Sequence, residues 1–100
     1  MDIQSLIESC QGFQWDKGNS LKNWLKHGVT QAESEEVFLN KPILLFEEVK
    51  HSVHEERVIA FGQTNSGRKL VVAFTIRQNM IRIISARKIN IKERFAYEKT

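Results

Sequence analysis

The stretch Arg68-Lys-Leu-Val-Val-Ala-Phe-Thr-Ile-Arg77, Gln78-Asn79, Met80-Ile-Arg-Ile-Ile-Ser-Ala-Arg87 decides the fold. Two runs rich in β-branched residues flank two polar ones, the spacing of a tight hairpin. Counting outward from the turn pairs Arg77 with Met80, Thr75 with Arg82, Phe74 with Ile83 and Val72 with Ser85. Leu70, Val72, Phe74, Ile76, Ile81 and Ile83 then share one face, the core face, while Thr75, Arg77 and Arg82 share the other. Guanidiniums inside strands require a face open to water or to an anionic ligand, because an unpaired buried charge is strongly disfavoured. The hairpin therefore predicts a sheet with one dry face and one working face.

Upstream, Glu56 to Gln63 predicts a further strand, joined through the turn Thr64-Asn-Ser-Gly67. With Gln63 opposite Arg68, Glu56 falls opposite Thr75 and beside Arg82 on the open face. Arg57 and Arg87 fall at opposite ends of the core face, from where they snorkel to its rim or pair with acids. A single bulge reverses these placements. Downstream, Asn90 with Glu93 has the spacing of a capping box and opens a terminal helix.

Toward the N-terminus, Phe13-Gln-Trp15 alternates as a brief strand, and Asp16 caps a helix that carries Leu21, Trp24 and Leu25 on one side and stops at Gly28. Thr30 and Glu33 cap a second helix bearing Ala32, Val37 and Phe38, which Pro42 ends. Ile43-Leu-Leu-Phe46 reads as a buried strand, and Glu47 to Glu55, with His51 and His54, as a loop. Trp15 and Trp24 read as core. Residues 1–12 form an N-terminal extension to a domain over residues 13–100. The expected class is α+β, with two N-terminal helices packed on a mostly antiparallel sheet and a C-terminal helix.

At 100 residues, 41% hydrophobic and 27% charged, the chain has the composition of one compact domain, neither disordered nor membrane-embedded. Such a chain buries roughly 60 to 70% of its unfolded surface, enough for one core. Its one cysteine, Cys10, cannot close an internal disulfide, and with no signal peptide or long apolar span visible the expected setting is cytoplasmic. A net charge of +3, with the basic excess lying mainly from Arg68 onward, fits nucleic acid or an acidic protein as partner. It also fits a plain solvated surface.

The segments Phe13-Gln-Trp15-Asp16, Asn23-Trp-Leu-Lys26-His27-Gly28-Val29, His51-Ser52, Glu55-Glu56-Arg57, Gly62, Val71-Val72-Ala-Phe74-Thr75 and Ile81-Arg-Ile-Ile-Ser-Ala-Arg87 occur in this order. Together they resemble the BrnT family, ribonuclease toxins of bacterial type II toxin-antitoxin pairs. The resemblance covers nearly everything after the first dozen residues. It implies a RelE-like fold and an endoribonuclease that inhibits translation without metal or other cofactor. It further implies a tight inactive complex with BrnA, a ribbon-helix-helix antitoxin, so that DNA is met only through the antitoxin and no membrane is involved. Asn19 departs from the family pattern, where lysine is common and bears on one phosphate contact. His54 departs too, where glycine is usual.

RNA is cleaved without metal when its own 2′-hydroxyl attacks the adjacent phosphate, which needs a base, a cation for the phosphorane and an acid for the leaving oxygen. Arg82 and Arg87 suit the phosphate, since a guanidinium stays charged and grips two oxygens at once. His27 and Glu56 are candidates to move protons, and Lys26 and Arg57 complete the catalytic set. Plainer readings stand beside these: His27 as a helix C-cap, Lys26 as its solvated neighbour, Glu56 and Arg82 as a cross-strand ion pair, and Arg57 as balance for the two acids before it. Arg77, Ser85, Arg94 and Tyr97 are the RNA-binding candidates. Ser85 also reads as a small packing residue, with no base placed beside it to make it a nucleophile, and Tyr97 as a cover for the sheet. His51 and His54 have ligand spacing, but no further residue completes a zinc set. The rival class is a non-catalytic binding module of the same fold, its basic face seating an acidic partner.

Overall fold

The computed structural model describes residues 3–48 and 57–99. Along the chain these form α1 (Ile3–Ser9), β1 (Gly12–Gln14), α2 (Lys17–His27), α3 (Gln31–Glu36), β2 (Leu44–Glu48), β3 (Arg57–Gln63), β4 (Lys69–Arg77), β5 (Met80–Lys88) and α4 (Ile91–Glu98). The class is α+β: one sheet in the order β1-β5-β4-β3-β2, antiparallel except for β1, which runs parallel to β5.

The β4–β5 hairpin turns at Gln78 and Asn79, both left-handed at φ 54° and 61°, as a two-residue turn with the right twist requires. Pairing leaves the turn as counted, with Arg77 on Met80, Thr75 on Arg82 and Phe74 on Ile83. Then the register slips by one residue. Ala73 pairs with Ser85 and Val72 with Ala86, so Ile84 is left over as a β-bulge, and the expected Val72–Ser85 pair does not form.

A second slip lies at the other hairpin. Thr64 donates its N–H to the Arg68 carbonyl at 2.9 Å, and the loop between them is the three residues Asn65, Ser66 and Gly67. Gly67 sits at φ 87°, the left-handed position that closes a three-residue hairpin loop. Gln63 consequently pairs with Lys69 and Val58 with Phe74, one step from the expected register. Because side chains alternate, each slip turns the strand beyond it over. Arg57 and Arg87, expected on the core face, both lie on the open one.

The expected core face of the hairpin is otherwise as read. Leu70, Val72, Phe74, Ile81 and Ile83 are buried together with Val58, Ala60 and Ala86, and Ile76 packs against them. From the helical side Val29, Val37 and Phe38 close this core, Phe38 meeting Phe74 edge-on at 4.9 Å. Ile3, Ile7 and Cys10 of the first dozen residues pack there too. Gly62 admits the end of α3, since a Cβ at that position would stand 2.5 Å from Val37 Cγ1. Trp15 is partly buried in this layer and donates its indole N–H to Glu35 at 2.7 Å.

Two apolar segments are less buried than their sequence implied. Trp24, expected in the core, is 55% exposed, and Leu21 and Leu25 are exposed with it. The cause is the seat of α2, which flanks β5 through its polar side: Asp16 lies near Arg82, the side-chain Oδ1 of Asn23 accepts the Ala86 N–H at 3.3 Å, and the backbone carbonyl of Gly28 accepts from Arg68. The Ile43 to Phe46 segment, expected as a buried strand, becomes β2 at the sheet edge, half-buried, with Phe46 exposed. On the face opposite the main core, α4 covers one end. Tyr97, Val71 and Ile89 are buried there against Leu44, Ile59 and Phe61.

Candidate functional site

Beside α4 that second face stays open, and the strands shape a cavity of about 480 Å³. Its floor is apolar, from Ile59, Phe61, Val71 and Ala73. Arg57, Ser85 and Arg87 line it, as do Phe46, Glu48 and Glu93. The two register slips build this site: the three-residue loop turns Arg57 onto the open face, and the Ile84 bulge turns Ser85 and Arg87 the same way.

Each cavity arginine has a carboxylate beside it. Arg87 donates from Nη1 and Nη2 to the two oxygens of Glu93 at 2.8 and 2.6 Å, a bidentate pair, and from Nη1 to the Lys88 carbonyl. Glu93 also accepts the N–H of Asn90 at 3.0 Å, while Asn90 accepts the N–H of Glu93, so the capping box of α4 and the grip on Arg87 share one carboxylate. The hydrogen bonds from Arg87 hold the Glu93 carboxyl below its ordinary pKa against the opposing effect of burial, with the Asn90 N–H and the charge of Arg87 helping. The same contact raises the pKa of Arg87. Of five guanidinium donors, Nε–H and one Nη2–H make no hydrogen bond among the described residues, a side-on fork suited to two oxygens of one phosphate. Arg57 stands more loosely, its Nε 3.8 Å from Glu48.

Two guanidiniums and two carboxylates nearly balance in charge, so what this cavity offers an anion is directed donors at short range, not a net positive field. Guanidinium forks of this kind suit the geometry of carboxylate and phosphate oxygens.

The remaining candidates lie outside the cavity lining. Arg82 is on the open side by register, with Nη2 3.9 Å from Asp16. Arg77 is exposed beside the hairpin turn, and Lys26 and half-buried His27 end α2, where Gly28 in the left-handed conformation makes the C-cap. Arg94 pairs with Glu98 on the outside of α4. Tyr97 is buried and donates its hydroxyl to the Pro42 carbonyl at 2.6 Å, so it covers the sheet. Glu56, His51 and His54 lie outside the described residues, and with them the expected convergence of Glu56 with Arg82. Sequence reasoning missed Phe46, Glu48 and Glu93 as site residues. Glu93 was legible only as a cap, Glu48 sat in an apparent loop, and Phe46 in an apparent buried run.

The domain is α+β, with two arginines, each beside a carboxylate, in a cavity on the open sheet face. Residues 15–93 match the family described as the ribonuclease toxin, BrnT, of type II toxin-antitoxin systems, and the chain belongs to that family. It is thereby an endoribonuclease toxin with an antitoxin as partner. The fold is similar to the 1.1 Å crystal structure of the Brucella abortus ribonuclease toxin BrnT, with a TM-score of 0.56 and 21% identity over 79% of this chain and 96% of that one. Curated proteins give no match.

Proposed function

We propose that the cavity lined by Arg57 and Arg87 is where this toxin cleaves RNA, without a metal ion, by attack of the substrate's own 2′-hydroxyl on the neighbouring phosphate. The observation that carries this reading is the bidentate Arg87–Glu93 pair at the cavity wall, which leaves a fixed side-on fork for the phosphate. Arg57, on β3 two strands from Arg87 and at the other end of the cavity, supplies a second cation. As the phosphorane forms, negative charge grows on its free oxygens, and donors already fixed toward them stabilise that charge without reorganising. Ser85 is a hydroxyl contact on the same wall. His27 and Glu56 are the candidates to take and return the proton, Lys26 and Arg82 add positive charge at the margins, and Arg77 and Arg94 contact the RNA beyond the site. The toxin acts in the bacterial cytoplasm, where RNA cleavage inhibits translation. A BrnA-like ribbon-helix-helix antitoxin neutralises it by covering this face.

Expression of the chain alone is expected to arrest growth and degrade RNA, and co-expression of its BrnA-like antitoxin to reverse both. Purified protein is expected to cleave RNA at the same rate in EDTA, since guanidiniums stand where a cation is needed. Activity that vanishes in EDTA and returns with divalent metal contradicts the proposed chemistry. Growth unimpaired at high soluble expression counts against the toxin reading.

A further inference from the structure

Phe46 is a large apolar side chain that lies on the cavity and is also open to solvent, at 44% exposure. One side of its ring is supported by Phe61, with centroids 5.0 Å apart and planes tilted by 55°. Phe61 is itself anchored by the Val71, Ile89 and Tyr97 cluster. The ring is thus backed by Phe61 and partly open to solvent.

Its position along the sheet gives it a partner function. Phe46 is abreast of Ile59, and Glu48, two residues on, is abreast of Arg57. Phe46 and Arg57 are therefore diagonal neighbours on adjacent strands, roughly 7 to 8 Å apart at the backbone, within the reach from a nucleobase to its own phosphate. An aromatic ring and a guanidinium carried by such neighbours, lining one cavity, suit the two ends of a nucleotide. A base stacks on such a ring only when it is free of a duplex, and stacking is indifferent to which base it is.

We infer that Phe46, backed by Phe61, is a stacking subsite for an unpaired nucleobase of the RNA, beside the phosphate held by Arg57 and Arg87. The inference rests on the ribonuclease reading above and names its substrate class: single-stranded RNA, held by stacking more than by base-edge recognition.

The test is cleavage and fluorescence-anisotropy binding of a short labelled single-stranded RNA by the wild type, Phe46→Ala and Phe46→Trp. One abasic nucleotide is moved through the RNA in a companion series. Phe46→Ala is expected to raise KM and Kd about ten- to hundredfold, the range for losing one stacked base, with kcat nearly unchanged and the melting temperature close to wild type. Phe46→Trp should restore binding. At one position the abasic RNA should show the same loss with the wild type and no further loss with Phe46→Ala. Unchanged KM and Kd in Phe46→Ala, or abasic losses that simply add to those of the variant at every position, overturn the subsite. Normal RNA kinetics combined with lost neutralisation by the antitoxin would make Phe46 a protein contact and overturn it equally. A wild type that neither binds nor cleaves RNA overturns the ribonuclease reading itself, an outcome distinct from an active enzyme indifferent to Phe46.

Discussion

One carboxylate, that of Glu93, both caps α4 and holds Arg87. Its depressed pKa has a thermodynamic consequence. A group whose folded pKa lies below its unfolded one stabilises the fold fully above the unfolded value, about 4.3 for glutamate, and loses that contribution as pH falls through the folded value. Glu33 shifts the same way: burial pushes it up, but the Thr30 cap and Arg68 outweigh that. Acidification below about pH 4.3 is therefore expected to lower the melting temperature, and Glu93→Gln should shrink the drop without abolishing it. Glutamine keeps the capping spacing, so the variant should fold at pH 7. Arg87 loses its fixed orientation, and cleavage is expected to fall about ten- to hundredfold. Melting temperature against pH, with cleavage rate, checks both; a variant with wild-type acid sensitivity and full activity contradicts the shared role. The capping box was legible because it is a local spacing. The grip on Arg87 was not, because it depends on which face Arg87 occupies.

At the scale of elements, strand existence, turn positions and the hydrophobic alternation of β4 were readable, since period-two patterning and a two-residue turn leave little choice. The registers were not. A bulge and a three-residue loop each displace pairing by one residue while leaving composition untouched, and each reverses a face. Deleting Ile84 separates the two accounts of β5. With Ile84 as the bulge, deletion leaves Ser85 on Ala73, Ala86 in the core and Arg87 on the open face, so the protein should still fold, less stable by about 1 to 3 kcal/mol. In a regular strand Arg87 would start on the core face, and the same deletion would turn it out to the open one, relieving a buried guanidinium and raising stability. Urea unfolding of the deletion variant decides, and a variant more stable than the wild type argues against the bulge as placed.

For the molecule as a whole, the two sheet faces divide the labour. The face under the N-terminal helices carries the main core, and the other carries the cavity, closed at one end by α4. Sequence reading anticipated that division from arginines inside strands, but assigned Arg57 and Arg87 to the wrong side of it. The exposed stripe of α2 escaped for a related reason. Helical spacing shows that Leu21, Trp24 and Leu25 share a side, but it does not show that Asn23 takes the inward position against β5. The central claim, that RNA is cleaved in the cavity of Arg57 and Arg87, is tested most directly by the single-turnover cleavage rate of the Arg57→Ala, Arg87→Ala double variant. With the protein shown to be folded by its melting curve, the rate is expected to fall by about 10² to 10³ or more, as when fixed transition-state donors are removed. A folded double variant that cleaves RNA at the wild-type rate would contradict the claim.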